Sequence, residues 1–167
     1  MVEPKVLVVM GSDSDYDTMK SCLQILKKFG IDFNCTVCSA HRTPDAAATL
    51  AKSAVDNGFD AIIAAAGKAA HLPGVLAAYT TLPVIGVPIK SGELDGMDAL
   101  LSIAQMPPGI PVATVAINGA RNAGILACQI LSLKYDHLQK TLIDYKLEMK
   151  QQVEEKNKAL QEKISSL

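Results

Sequence analysis

Several features that would point to particular protein classes are missing from this chain. It has no tryptophan and only seven other aromatic residues among its 167, which leaves little to sandwich a flavin ring. The net charge is −1, so there is no electrostatic case for nucleic-acid binding or for an anionic membrane surface. No apolar run approaches the roughly 20 residues that cross a bilayer. Residues 1–10 lack the basic start and cleavage site of a secretory signal, so we expect a cytoplasmic protein.

Cysteine is scarce as well, and its pattern does not favour disulfides. The four residues are Cys22, Cys35, Cys38 and Cys128, and Cys35 and Cys38 form a C-x-x-C in "DFNCTVC". A redox pair of this kind sits at a helix N-terminus, whereas this stretch alternates like a strand, on which residues three apart face opposite sides. We therefore expect ordinary buried thiols.

Five short apolar runs separated by helical patterns indicate the fold class. Runs that are apolar on both faces and alternate with helices are typical of a parallel sheet covered on both sides. Five strands are too few for an eight-stranded barrel, so we predict an open, doubly wound α/β sandwich in one domain. The predicted strands are residues 6–10, 33–38, 61–66, 84–89 and 112–117.

From about Asp136 to the end, the chain predicts one long amphipathic helix, with apolar residues recurring at helical spacing among Lys, Glu and Gln. Its proximal half can pack on its own domain. The distal half has few places left to dock, so its apolar residues favour contact with another subunit of a homo-oligomer. We thus divide the chain into an α/β domain, 1–135, and a helical extension, 136–167.

Polar, glycine-rich segments follow the predicted strands, where ligands bind in an open parallel sheet. In "GSDSD", Gly11 permits a tight turn, and Ser12 opens a helix N-terminus, which favours an anion. Ser12 and Asp15 also have the spacing of a capping box, which is the structural alternative. Arg42 follows the neighbouring strand, where its planar guanidinium can fork onto the same phosphate or remain a solvated loop charge.

Two of the three histidines lie in these segments. His41 has a structural alternative, a backbone hydrogen bond that orients its loop. His71 follows the turn "GKAAH" and starts a helix, where the helix dipole favours the neutral imidazole, which suits a group that takes up and returns a proton. No Ser, Cys or Asp stands at nucleophile spacing, so acid–base chemistry is favoured over covalent catalysis. No cluster of metal ligands is visible, and we expect no metal.

The segments "VVMGSDSD", "SAHRTPD", "AAAGKAAHLPG", "LPVIGVP", "LDGMDALLSIAQMPPGIPVATVAI" and "NAGILACQIL" resemble, in order and interval, the bacterial class I N5-carboxyaminoimidazole ribonucleotide mutases. The resemblance covers roughly residues 5–135. It implies a flavodoxin-like three-layer α/β/α sandwich with a five-stranded parallel sheet, a homo-octamer, and neither a metal nor an organic cofactor.

The reaction implied by the resemblance belongs to purine biosynthesis. It moves the carboxylate of N5-carboxyaminoimidazole ribonucleotide (N5-CAIR) from the exocyclic nitrogen to C4, giving 4-carboxy-5-aminoimidazole ribonucleotide (CAIR) through trapped CO2 and aminoimidazole ribonucleotide (AIR). Ser12 and Arg42 would face the phosphate, Asp15 the ribose, and His71 would carry the proton. The predicted substrate-binding residues are Gly11, Ser12, Asp15, Ser39, His41, Arg42, Gly67, Lys68, Ala69, Ala70 and Leu72.

One position departs from the family pattern. Members commonly read "GAGGAAHLPG", whereas this chain has Lys68 in place of the second paired glycine. The related class II enzymes, which carboxylate AIR directly with CO2, carry a basic residue there, but follow it with "SN" and have Lys in place of Arg42. A direct carboxylase is therefore the alternative, and a non-catalytic flavodoxin-like nucleotide binder or a purely structural oligomer would be a different class of protein.

Overall fold

A five-stranded sheet forms the centre of the molecule. The computed structural model describes residues 3–167. The strands are β1 (Lys5–Met10), β2 (Asp32–Val37), β3 (Ala61–Gly67), β4 (Val84–Ile89) and β5 (Ala113–Thr114). Their order is β2-β1-β3-β4-β5, and every neighbouring pair is parallel. This order confirms the predicted flavodoxin-like fold and places the topological switch point, the usual ligand site, between β1 and β3.

Six helices cover both faces of the sheet. They are α1 (Tyr16–Lys28), α2 (Pro44–Ser53), α3 (Leu72–Tyr79), α4 (Met97–Ala104), α5 (Ala120–Leu131) and α6 (Asp136–Ser165). One apolar core joins the sheet to α1, α5 and the start of α6, and a second joins its other face to α2, α3 and α4. The three-layer arrangement follows because each helix buries one apolar stripe against the sheet.

The sequence predicts strands that are buried on both faces, and β2 departs from this prediction. It lies at the edge of the sheet and carries polar Asp32, Asn34 and Thr36, so most of it is exposed, including Cys35. The expectation of a buried thiol is therefore wrong for Cys35. It is confirmed for the other three cysteines, and all four are free. Burial raises the pKa of Cys22 to about 12, as expected of an unreactive core thiol.

Strand β5 is shorter than the six residues predicted. Its ladder with β4 pairs Ile85 with Ala113 and Gly86 with Thr114, and one further bond runs from the Val115 N–H to the Gly86 carbonyl. The next donor on this side of β4 would be Pro88, which has no N–H. The regular pairing therefore stops where the proline begins.

Helix α6 begins at Asp136, as predicted, and changes character along its length. Leu138 and Tyr145 are buried, and the Tyr145 ring packs edge-to-face on Phe29 with centroids 5.2 Å apart. Every residue from 150 onward is exposed. Within residues 3–167, no helix is both long enough and apolar enough to span a membrane.

Candidate active site

One cavity of about 590 Å³ lies at the carboxyl edge of the sheet, around the switch point. The segments that follow the first four strands form its wall, because parallel strands bring their carboxyl ends to the same edge. The lining residues are Gly11, Ser12, Ser14, Asp15, Ser39, Ala40, His41, Arg42, Ala66, Gly67, Lys68, Ala69, His71, Leu72 and Ser91. All predicted site residues except Ala70 line this cavity.

The turn after β1 is a capped helix start. Ser12 caps a short 3₁₀ helix, Asp13–Asp15, that leads into α1, and its hydroxyl accepts a hydrogen bond from the Ser14 N–H at 3.3 Å. The Asp15 carboxylate accepts from the Ser12 N–H at 3.1 Å, which completes the capping box. The capping alternative for Ser12 and Asp15 is thus confirmed, and both residues also line the cavity.

Asp15 is one of the few buried polar residues, with 5% of its surface exposed. Burial raises the pKa of its carboxyl above the ordinary value, and the charge of Asp13 adds to this, while the Ser12 N–H opposes it. An ionised Asp15 is therefore under-solvated in the free protein. Its remaining lone pairs suit a donor such as a sugar hydroxyl.

The turn after β2 holds Arg42 against Ser39. The Thr43 N–H donates to the Ser39 carbonyl at 2.8 Å, and the Arg42 N–H and Nε donate to the Ser39 hydroxyl at 3.2 and 3.4 Å. Within residues 3–167, the two terminal nitrogens of Arg42 have no hydrogen bond or ion pair. They are left to fork onto an anion in the cavity.

His41 and His71 form a direct pair. Nε2 of His41 lies 2.7 Å from Nδ1 of His71, and the two rings meet edge-to-face with centroids 5.0 Å apart. His71 occupies the N-cap position of α3, as predicted, and makes no side-chain capping bond there. Within residues 3–167 the His41 ring makes no hydrogen bond to the backbone, so the structural alternative is not observed, and its Nε2 contacts the second imidazole instead.

The turn after β3 has two features that the sequence does not show. Lys68 adopts a left-handed conformation with φ of 56°, which glycine adopts without steric cost. Ala70 is 1% exposed and packs in the core with Leu72 and Leu76, so its predicted place in the site is not observed. Leu72 lines the cavity with its buried side chain.

Ser14, Ala40, Ala66 and Ser91 also line the cavity but were not predicted to do so. Ser91 lies in the polar segment that follows β4. The strand pattern indicates that such a segment borders the site, but it does not single out Ser91. The other three are direct chain neighbours of predicted residues. In the part of the chain that the structure describes, no three His, Cys, Asp or Glu side chains converge as a metal site would require.

The charges around the cavity favour an anionic ligand. Arg42 and Lys68 contribute two cations, whereas Asp15 is the one acidic residue of the lining. The geometry therefore combines two cationic side chains, a helix start and a pair of imidazoles in hydrogen-bond contact.

Comparisons with known proteins agree on one family. The model of the family described as AIR carboxylase matches residues 5–152. The N5-carboxyaminoimidazole ribonucleotide mutase of Thermotoga maritima is 54% identical over 159 residues, covering 95% of this chain and 93% of that protein. The mutase of Pyrococcus horikoshii is 55% identical over 160 residues, covering 96% and 90%. The crystal structure of Treponema denticola PurE superposes with a TM-score of 0.84 at 28% identity, covering 95% of this chain and 99% of the other.

Proposed function

Because the chain belongs to the AIR carboxylase family, we propose that it is the enzyme that converts N5-CAIR to CAIR, with the His41–His71 pair as its proton carrier. The mutase activity is supported by relatives of that name that are more than half identical over most of the chain. The observation that carries the mechanism is the 2.7 Å contact between the two imidazoles inside the cavity.

Substrate binding uses the two ends of the cavity wall. Arg42 forks onto the phosphate with its two free terminal nitrogens, while Ser39 holds its Nε. Ser12 and the N–H groups of the helix start add donors for the same phosphate. Asp15 accepts hydrogen bonds from the ribose hydroxyls, which solvate its buried carboxylate.

The chemistry balances without any other reactant. The bond between the exocyclic nitrogen and the carboxylate carbon breaks, CO2 is held in the cavity, and the nitrogen takes up a proton. C4 then forms a bond to the CO2 carbon and loses its own proton. One proton is delivered and one recovered, so the histidine pair returns to its starting state, as acid–base catalysis of an isomerisation requires.

His71 and His41 share this task because they share a hydrogen bond. A proton taken up by one ring can be passed to the other through this hydrogen bond. The ring that faces the substrate thereby returns to its starting protonation state. His71 lies at the N-cap position of α3 in the cavity wall, and its side chain makes no capping hydrogen bond there. The pair is then poised to accept the C4 proton.

Substitution of each histidine tests the assignment. His71→Asn and His41→Asn should each lower turnover by at least about 100-fold, because acid–base catalysis is lost. Binding of CAIR, followed by calorimetry, should change little. The matched control is His137→Asn, which removes the remaining histidine of the chain. His137 lies on α6, so this variant should keep normal turnover. Near wild-type turnover in either His71→Asn or His41→Asn would remove that ring from the mechanism.

Direct carboxylation of AIR by CO2 is the second candidate function. Lys68 favours it, because a cation beside the cavity can attract bicarbonate or a carboxylate, and the family description is itself that of a carboxylase. An assay by absorbance separates the two reactions. The mutase converts N5-CAIR to CAIR without added bicarbonate, whereas a protein that consumes AIR and CO2 but not N5-CAIR is a carboxylase.

We also propose that the protein is a homo-octamer, in which residues 136–167 form a helical extension that packs between subunits around the 1–135 domain. Support comes from α6, whose distal half is fully exposed yet keeps Val153, Leu160 and Ile164 at helical spacing. The cytoplasmic location stays a prediction, which cell fractionation followed by immunoblotting can test.

A further inference from the structure

Ser91 has an unusual environment in the cavity wall. Its Oγ is the one buried side-chain oxygen or nitrogen without a hydrogen-bond partner among residues 3–167. Buried hydroxyls are nearly always paired, because an unpaired one costs stability. Since Ser91 also lines the substrate cavity, the missing partner can be supplied by a ligand.

Gly67 makes room for this hydroxyl. A Cβ at Gly67 would lie 2.6 Å from Ser91 Oγ and 3.3 Å from the Ile89 carbonyl oxygen, so any larger residue would displace the serine. The glycine before Lys68 therefore permits close approach by the protein's own Ser91. The absence of a side chain at this position keeps the hydroxyl at the end of β3, beside the turn that carries His71.

The backbone next to Ser91 is held in place. The Lys90 N–H donates to Oδ1 of Asn118 at 2.9 Å, and the Asn118 N–H donates to the Pro88 carbonyl at 2.8 Å. Asn118 adopts a left-handed conformation with φ of 56° to make both bonds. The segment after β4 is therefore tied to the segment after β5 at the residue that precedes Ser91.

The strand order places Ser91 away from Arg42, the residue proposed to bind the phosphate. Arg42 follows β2 and Ser91 follows β4. Two strands, β1 and β3, lie between β2 and β4 in the sheet. At about 4.8 Å per strand, the ends of β2 and β4 are roughly 14 Å apart. Since Arg42 and Ser91 line the same cavity, a ribonucleotide whose phosphate is bound by Arg42 can reach the β4 side with its imidazole.

We propose that Ser91 is a further substrate-positioning residue, whose hydroxyl forms a hydrogen bond with the imidazole end of the bound ribonucleotide. The inference rests on the proposed function, since it needs a ribonucleotide in this cavity. It predicts two opposite effects of removing the hydroxyl. Ligand binding weakens, while the free protein is not destabilised, because the hydroxyl has no partner there.

The test uses the full-length protein with CAIR and with its phosphate-free nucleoside as calorimetric ligands. Ser91→Ala should weaken both by about tenfold, the effect of one lost hydrogen bond. Arg42→Ala should weaken the nucleotide far more than the nucleoside, because only the nucleotide has a phosphate. Ser53→Ala, which removes a hydroxyl bonded to the Thr49 carbonyl on α2, is the control and should leave both affinities unchanged.

Thermal unfolding of the ligand-free variants supplies the second readout. Ser91→Ala should unfold at the wild-type temperature or above it. Wild-type affinity in Ser91→Ala, a loss confined to the nucleotide, or a lowered unfolding temperature would each overturn the role of Ser91. A wild-type protein that bound neither ligand would instead refute the proposed function, so the two failures are distinguishable.

Discussion

At the scale of single residues, Asp15 couples ligand binding to stability. Its carboxyl is buried and its pKa is raised above the ordinary 3.8. The folded protein therefore binds this proton more tightly than the unfolded chain. The resulting stabilisation is complete below pH 3.8 and is lost as the pH rises through the raised pKa of the folded state.

Asp15→Asn should consequently be more favourable to stability at pH 7 than at pH 3, because it removes a charge that is costly only when ionised. The amide oxygen can still accept the Ser12 N–H bond. Thermal unfolding of the wild type and of Asp15→Asn, followed from about pH 3 to about pH 7, gives the comparison. Weaker CAIR binding should accompany the gain in stability. A stability difference that is the same at all pH values would contradict the burial argument.

Lys68 carries backbone strain at the mouth of the cavity. Its φ of 56° explains why glycine suits this position in the family pattern. Lys68→Gly should raise the free energy of unfolding by up to about 1 kcal/mol. Glycine relieves the strain of the left-handed backbone, but part of this gain is offset because glycine gives the unfolded chain more conformational entropy. Lys68→Ala removes the ammonium but keeps the strained conformation, so it should give no such gain in urea unfolding.

The same two variants test the charge of Lys68. If its ammonium helps to retain the carboxylate or CO2 in the cavity, labelled bicarbonate should enter CAIR faster in both variants than in the wild type. The effect should be equal in Lys68→Ala and Lys68→Gly, because both lack the ammonium. Unchanged exchange would show that the lysine head remains in solvent, as lysine heads usually do.

At the scale of elements, Tyr145 attaches the proximal half of α6 to the rest of the molecule. Its ring packs on Phe29, and its hydroxyl accepts from Arg121 Nε at 3.3 Å. Tyr145→Ala should lower the free energy of unfolding by roughly 3 kcal/mol, as truncation of a buried aromatic does. Tyr145→Phe keeps the ring and should cost about 1 kcal/mol or less. Equal losses would mean that the hydroxyl, and not the ring, holds the helix.

At the scale of the whole molecule, the exposed apolar residues of α6 test the octamer. Val153→Asp should reduce the mass measured by light scattering, because a charge would be buried at the interface. Gln152→Asp adds the same charge one residue away, on a different side of the helix, and should leave the mass unchanged. An equal mass for wild type and Val153→Asp would show that the exposed apolar residues in the distal half of α6 do not hold the subunits together.

Much of the architecture follows from the sequence alone. Apolar runs that alternate with helical patterns determine a parallel sheet, and β4 at Val84–Ile89 has the bounds that were predicted. The residues after the strands are predictable as a site because parallel strands present all their carboxyl ends at one edge. Ser12, Arg42 and His71 line the cavity for this reason.

What the sequence leaves undetermined depends on contacts between distant segments. Strand order makes β2 an edge, which exposes Cys35 although a free cysteine is usually buried. The pairing of His41 with His71 joins residues 30 positions apart, and the lack of a partner for Ser91 Oγ follows from how the segment after β4 meets Gly67. Local propensity carries no information about such contacts, because they form only when the sheet has brought the loops together.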